Sequence, residues 1–366
     1  MTEENKLHYQ CKSCGSGMEF SPGESSLKCP NCGTMNELPV HNGNAADEYD
    51  FLHALQLLEE KAIADEQTIV CVDCKCCGAS IEFPENIVGG HCPYCGTAIV
   101  AEHHNKKAIK PTCVLPFNLT REQAETNFKA WLKSLWFAPS ALKHEAVNSK
   151  LSGVYLPFWT YDCEVLSTYT GMRGDYYYVT ETYTEQEDGK TVTKTRQVRK
   201  TRWSFVSGHV HNSFDDILIP ASNSMPQYIL DKLEPWNLHK LTDYDRRYLT
   251  GFSVETYAVN LREGFEEAQH RTEAPIRTTV KRDIGGDEQS INSVNSVYDE
   301  ISYKHILLPT WLSSYRFNEK SYCFAVNAET GEVQGERPWS WVKITIAILV
   351  LLAVIGGIIM LVQYNK

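Results

Sequence analysis

The distribution of hydrophobic residues singles out one stretch near the end of the chain. Ile344–Val362 is a run of nineteen positions without a charged side chain. A helix of that length rises about 28 Å, which is comparable with the thickness of a bilayer hydrocarbon core. Trp339 and Trp341 precede the run and Tyr364 follows it, as aromatic anchors do at membrane–water interfaces. We therefore predict one transmembrane helix over residues 342–363.

Apolar residues that recur every three or four positions predict amphipathic helices elsewhere in the chain. Phe51, Leu55, Leu58 and Ala62 follow this period. We expect a helix over residues 48–64 that spaces or docks the units on either side of it.

A capping box predicts the start of the next helix. Thr120 stands three positions before Gln123, so the two side chains are placed to satisfy each other's backbone N–H groups, and Pro139 ends the periodic stretch. Further helices are expected over residues 225–233 and 262–272, and residues 275–283 are expected to be helical or extended.

Strand-forming residues dominate the region from about 111 to 338, and residues 174–203 have the pattern of a hairpin turned at Asp188-Gly189. A two-residue turn there pairs positions whose numbers sum to 377. The pairs include Asp175 with Arg202, Glu181 with Arg196, and Glu187 with Lys190. Opposite charges across a strand pair stabilise by about 0.2–1 kcal/mol each. We therefore interpret the basic run as half of a charged hairpin, with a nucleic-acid-binding stripe as the alternative.

The next strands are expected at residues 315–317 and 321–326, paired with each other and followed by a turn at 328–331. Together with the helices, they predict an α+β body in which strands are in the majority.

The first hundred residues contain a duplicated cysteine pattern. Two Cys-x-x-Cys pairs are separated by fourteen residues, and an offset of 63 residues maps this set onto a second one. The eight cysteines are Cys11, Cys14, Cys29 and Cys32, then Cys74, Cys77, Cys92 and Cys95. Each pair is followed by a glycine, which tolerates the positive φ of a tight turn.

Two such pairs at this spacing are typical of a zinc ribbon, in which four thiolates bind one ion in a tetrahedron. We predict two structural Zn²⁺ ions, each in a closed site with no open position for catalysis. Disulfides and an iron–sulfur site are the alternatives. Cys71 also forms a Cys-x-x-Cys pair with Cys74, but the repeat favours Cys74 and Cys77 as ligands, leaving Cys71 and Cys76 as spare thiols.

Composition limits the function further. The net charge of −11 argues against general nucleic-acid binding, which depends on neutralising phosphates. A thiol-rich metal-binding array indicates a reducing compartment, and the first residues do not resemble a secretory signal.

Arg337 and Lys343 lie before the apolar run, so we expect the main body to be cytoplasmic and the protein to be a tail-anchored, single-pass membrane protein.

No motif for catalysis is present. The tripeptide Gly189-Lys-Thr lacks the upstream glycine of a phosphate-binding loop, because Thr184 occupies that position. Neither a Gly-x-Ser-x-Gly elbow nor an HExxH helix occurs. His209 and His211 alternate on a predicted strand, where a surface or packed pair is favoured over a metal site. We therefore predict that the protein is not an enzyme.

The chain resembles a bacterial family of TFIIB-type zinc-ribbon membrane proteins. The paired ribbons, residues 155–161, 308–317 and 331–338, and the terminal span carry the resemblance. It implies zinc ligation by the eight cysteines, membrane anchoring, and association with phage-shock-protein-A-like or flotillin-like envelope-stress proteins. Some members are labelled primosomal or replication-helicase-like, a label that would need ATPase motifs absent from this sequence.

These observations predict a defined order of units. They are a zinc ribbon at residues 1–40, a helical linker at 41–70, a second ribbon at 71–102, a β-rich α+β cytoplasmic domain at 103–341 and the membrane helix at 342–363. We expect an adaptor that holds protein partners at the cytoplasmic face of the cell membrane. The alternatives are a membrane-tethered nucleic-acid-binding factor without helicase activity and a thiol-redox sensor that uses Cys71 and Cys76.

Overall fold

The computed structural model describes residues 9–38, 48–60, 66–82, 89–100, 102–139, 151–187, 190–317 and 320–364. These residues form a β-rich α+β protein. Its helices are α1 (Phe51–Glu59), α2 (Arg121–Ser134), α3 (Gln227–Lys232), α4 (Leu261–Ile284) and α5 (Trp341–Tyr364).

Most of the strands belong to one large sheet. In chain order the strands are β1 (Glu19–Ser21), β2 (Ser26–Lys28), β3 (Met35–Glu37), β4 (Tyr49–Asp50), β5 (Glu66–Asp73), β6 (Ser80–Glu82), β7 (Gly89–His91), β8 (Ala98–Val100), β9 (His104–Ile109), β10 (Cys113–Val114), β11 (Ser152–Glu187), β12 (Lys190–Pro220), β13 (Thr242–Asp243), β14 (Ser253–Glu255), β15 (Glu288–Phe317), β16 (Lys320–Asn327) and β17 (Val333–Gly335). β1 to β3 form a separate three-stranded sheet, and β7 pairs only with β8.

Three long strands form the centre of the large sheet. β11, β12 and β15 have 36, 31 and 30 residues, and β11 pairs antiparallel with both of the others. The predicted hairpin register is confirmed, because Asp175 pairs with Arg202 and Glu181 with Arg196. The predicted turn at residues 188–189 lies outside the described residues.

The pairing between β11 and β15 ends at Gly174 opposite Glu288. Beyond that point β11 and β12 continue as a two-stranded ribbon, which we call the arm (residues 175–187 and 190–202). The predicted charge pairing is present there in part: Glu181 lies 3.0 Å from Lys200 and 3.6 Å from Arg196. Asp175 instead pairs with Arg173 at 3.0 Å.

Helix α4 covers one face of the three long strands. Ile276, Val280 and Ile284 on this helix pack against Val165 and Val210 on the sheet. The helix includes Pro275, so the predicted helix at 262–272 and the uncertain segment at 275–283 are one element. Packing of the apolar face on the sheet compensates for the hydrogen bond that proline cannot donate.

Over residues 164–174 of β11 the opposite face of these strands is not covered by any element in the described part of the chain, whereas nearer the start of β11 helix α3 covers that face at Leu156 and Phe158. Leu166, Phe205 and Val297 lie on this side, and Phe205 and Val297 are 64% and 67% exposed. His209 and His211 also lie on it, as their alternation predicted, paired with Thr168 and Leu166. We call this surface the uncovered face. Its exposed apolar side chains stand among polar ones.

The segments near the N-terminus join the body more closely than the sequence indicated. The polar residues 103–107 give no strand signal, but β9 pairs with β5, and β5 reaches the body through β6 and β14. Helix α1 begins at Phe51, later than the predicted helix at 48–64, and is capped by Asp50; residues 61–64 of that prediction lie outside the described residues. Phe51 and Ala54 pack with Trp159 and Phe265 of the body. Apolar burial against the body thus decides the position of α1.

The capping box of α2 is confirmed, with Gln123 N–H donating to the Thr120 hydroxyl and the Gln123 side chain accepting from the Thr120 N–H. The strand pairing of β15 with β16 and the helix α3 also agree with the sequence. Helix α5 is long and apolar enough to cross a membrane, and its side chains contact little of the body.

Helix α4 approaches the sheet closely at one glycine. A Cβ atom at Gly264 would lie 2.9 Å from Trp159 Cδ1 and would overlap the Tyr161 hydroxyl. We expect Gly264→Ala to lower the free energy of unfolding by about 1–3 kcal/mol, measured by denaturant titration in detergent. The matched control is Gly356→Ala in α5, where no atom lies within 4 Å of the added methyl group. Equal stability of the two variants would contradict this packing.

Candidate metal centres

Four short turns with the same geometry present the eight predicted cysteines. In each turn the glycine N–H donates to the carbonyl of the first cysteine, at 2.8–2.9 Å, in the pairs Gly15 with Cys11, Gly33 with Cys29, Gly78 with Cys74 and Gly96 with Cys92. All four glycines have φ between +70° and +77°. A side chain other than glycine is strained in that conformation, which explains the glycine after each pair.

The turns bring the cysteines together in two groups of four, in the combination that the repeat predicted. Within each group one sulfur from every cysteine lies within 4.8 Å of the others. The closest Sγ–Sγ distances are 3.5 Å for Cys11–Cys32 and Cys14–Cys29, 3.5 Å for Cys74–Cys95 and 3.6 Å for Cys77–Cys92.

These distances fit a tetrahedral metal site. Four sulfurs at about 2.3 Å from a common ion are about 3.8 Å apart, whereas a disulfide requires about 2.05 Å. All thirteen cysteines are free thiols in the structure. The residues present therefore suit a soft divalent cation at each centre, held by four thiolates with no protein position left open.

Local hydrogen bonds favour the thiolate form of at least one cysteine in each group. The backbone N–H of Ser13 donates to the Cys11 sulfur at 3.4 Å and lowers the pKa of that thiol to about 6. The Cys92 thiol lies against the Cys77 sulfur and lowers the pKa of Cys77 to about 5. Thiolates are the form that binds metal, so these hydrogen bonds favour the metal-binding form in each group.

The first group belongs to a unit that we call the first cysteine unit (residues 9–38). Cys11 and Cys29 are buried, whereas Cys14 and Cys32 are exposed. Phe20 carries the contact with the body: its ring centroid lies 5.3 Å from that of Tyr248, and its N–H donates to the Thr250 carbonyl at 3.0 Å. The unit is therefore docked on the body rather than tethered to it.

The second group belongs to the second cysteine unit (residues 66–82 and 89–100), which shares the large sheet. Cys74 and Cys92 are buried in a core cluster that includes Leu312 and Ala325 of the body. β6 pairs with β14 through Ile81 opposite Glu255. The second metal centre is thus built into the body's own core.

A buried network of hydrogen bonds attaches the second cysteine unit to the body. Tyr94, between Cys92 and Cys95, donates its hydroxyl proton to the Glu255 carboxylate. Ser222 donates to the same carboxylate at 2.9 Å, and Ser224 donates to it as well. Burial raises the pKa of Glu255 to about 7. Sequence reasoning missed this network, because the tyrosine and glutamate are 161 positions apart.

The remaining cysteines lie outside both groups. Cys71 is fully buried with its sulfur 3.3 Å from the Thr256 hydroxyl, and burial raises its pKa. A buried thiol with a raised pKa is a poor nucleophile, so this position does not favour the redox-sensor hypothesis. Cys76 is exposed. Burial also raises the pKa of Cys113 to about 12 and of Cys163 to about 11.

One acidic cluster was not anticipated from the sequence. A bulge in β12 brings Asp215 and Asp216 beside Asp162 of β11, with one oxygen of each within 4.8 Å. The Lys304 ammonium lies 3.2 Å from Asp216 and 3.1 Å from Glu48. Because a buried lysine already pairs with Asp216, we interpret the cluster as a structural charge network.

The fold and the two centres define a β-rich α+β protein with two Cys₄ sites suited to metal and a terminal apolar helix. The chain is similar to a Bacillus subtilis (strain 168) protein described as "Uncharacterized protein YdjG", with 27% identity over 350 residues and 92% of each chain covered. The 350 aligned residues are more than the β-rich domain at 103–341 contains, so the similarity extends beyond that domain. No family model and no solved structure matches the chain.

The metal centres predict a stoichiometry. We expect the purified protein to contain two zinc ions per chain, measured by elemental analysis after gel filtration. Cys74→Ser removes one ligand from the second centre and should lower the content to about one, because a three-thiolate site binds zinc far less tightly. Cys76→Ser is the matched control and should keep both ions. Loss of an ion from the control, or two ions in Cys74→Ser, would show that other residues are the ligands.

The Tyr94 network predicts a measurable contribution to stability. Tyr94→Phe deletes one donor to a buried carboxylate, so we expect the free energy of unfolding to fall by about 1–3 kcal/mol. Tyr177→Phe, on the exposed arm, should change it by less than about 0.5 kcal/mol. Denaturant titration in detergent measures both variants. Equal free energies of unfolding for the two variants would show that the Tyr94 hydrogen bond does not stabilise the attachment of the second cysteine unit.

Proposed function

We propose that the protein is a membrane-anchored zinc-ribbon adaptor without catalytic activity, which holds protein partners at the cytoplasmic face of the cell membrane. In this proposal zinc occupies both Cys₄ centres as a structural ion, and α5 spans the bilayer. Four thiolates per centre leave no position for a substrate, which supports a structural role over a catalytic one.

The observation that carries the adaptor proposal is the uncovered face. Three long strands are covered by α4 on one side, while the other side exposes Leu166, Phe205 and Val297. Soluble monomers leave scattered apolar side chains exposed, but several of them on the same face of one sheet favour a protein contact. The partner classes implied by the family resemblance are phage-shock-protein-A-like and flotillin-like proteins.

The alternative, a nucleic-acid-binding factor, has less support from the arm. Arg199 lies 4.1 Å above the ring of Tyr176, and Arg196 lies 5.4 Å from the ring of Tyr183. Lys200 pairs with Glu181. The basic side chains are thus engaged with neighbours in the same hairpin, and phosphates would have to compete for them.

We expect affinity capture of the full-length protein from solubilised bacterial membranes to recover a phage-shock-protein-A-like or flotillin-like protein, identified by mass spectrometry. The double variant Phe205→Ser/Val297→Ser should reduce recovery at least tenfold, because it removes exposed apolar area from the uncovered face. Leu52→Ser, which changes an exposed leucine on α1, is the matched control and should keep full recovery.

Other outcomes of this capture are equally informative. Loss of the partner only in Cys74→Ser/Cys92→Ser would place the contact on the second cysteine unit and not on the uncovered face. Recovery of nucleic acid that falls steeply with salt concentration would support the alternative function. Turnover of a substrate that a point mutation abolishes would refute the non-catalytic proposal.

A further inference from the structure

Two aromatic side chains far from the terminal helix in sequence lie beside its first turn. Trp136 is 83% exposed and Phe137 is 40% exposed, at the turn that follows α2. Their neighbours Leu135 and Ala138 are buried in the core. The backbone therefore holds the two rings outward, and the exposure is a consequence of the fold.

Hydrogen bonds join this turn to the start of α5. The Ser340 N–H donates to the Phe137 carbonyl at 2.7 Å, and the Lys343 ammonium donates to the Ala138 carbonyl at 2.7 Å. Residues on either side of Ser340 are also aromatic and exposed: Trp339 is 53% and Trp341 is 77% exposed. Exposed aromatic residues from two distant segments are thus brought together at the N-terminal end of the helix.

The position of this cluster relative to a bilayer follows from the length of α5. Its 24 residues rise about 36 Å, slightly more than a hydrocarbon core of about 30 Å. The first turn of the helix therefore lies at the membrane–water interface when the helix spans the bilayer. Tryptophan is enriched at this depth because its ring is apolar while its N–H can reach water or lipid carbonyls.

We propose that Trp136 and Phe137 form a second, peripheral membrane contact that inserts into the interfacial layer of the bilayer crossed by α5. This inference rests on the proposed membrane anchoring. The body is then attached to the membrane at two points, α5 and residues 136–137. The second point is fixed to the core because the neighbouring residues Leu135 and Ala138 are buried in it. A body attached at two points is held against the lipid surface instead of swinging on a single linker.

The test uses the full-length protein reconstituted in phosphatidylcholine vesicles, with and without lipids brominated near the top of their acyl chains. Bromine quenches tryptophan by contact, so the difference in emission reports the tryptophans at that depth. We call this difference, the emission that bromine removes, the quenched emission. We expect Trp136→Phe to lower it by about a third, because three interfacial tryptophans become two. Trp203→Phe, which changes an exposed tryptophan on β12, is the matched control and should leave the quenched emission unchanged.

Flotation of the vesicles separates this inference from the proposed anchoring. If the protein floats with the vesicles and Trp136→Phe keeps the full quenched emission, the anchoring is correct and the second contact is refuted. If the wild-type protein does not float at all, the membrane anchoring itself fails, and the second contact fails with it. Floating protein with the expected loss in Trp136→Phe alone supports both.

Discussion

The hydrogen bonding of β11 along both edges is the constraint on which most of the structure depends. This strand pairs with β12 from Phe158 to its end, with β15 up to Gly174, and with β14 near its start. Because side chains alternate between faces, one register places Val165 and Tyr169 under α4 and Leu166 on the opposite side. A shift of one residue would exchange the buried and exposed sets.

The same strand connects the metal centres to the body. Through β14 and β6 its hydrogen bonds continue into the second cysteine unit, where Tyr94 and Glu255 add a buried polar link. A small Cys₄ unit lacks the apolar area to fold alone and depends on its metal. Here each unit also contributes to a core cluster of the body. We therefore expect a metal ion bound at either centre to stabilise the body as well as its own unit.

The two exposed surfaces for which we propose contacts differ in physical character. The uncovered face is broad and mixed in polarity, as expected of a protein contact. The aromatic cluster around the start of α5 is small and lies next to an apolar helix, as expected of a lipid interface.

The sequence by itself determined the features that depend on neighbouring residues. Cysteine spacing and the following glycines predicted four turns of the same geometry, because a Cys-x-x-Cys turn needs only local backbone. The capping box of α2, the register of the β11–β12 hairpin and the apolar run of α5 were predicted for the same reason. Each depends on contacts between residues close in the chain.

Only the tertiary structure decided how distant segments combine. It made residues 104–109 a sheet strand, since β5 offers an edge whose hydrogen bonds no local pattern reveals. It continued α4 through Pro275, since burial of Ile276 and Val280 outweighs one missing hydrogen bond. It also placed Ala138 beside Lys343, 205 positions away. Burial and hydrogen bonding act on neighbours in space, which a linear pattern does not record.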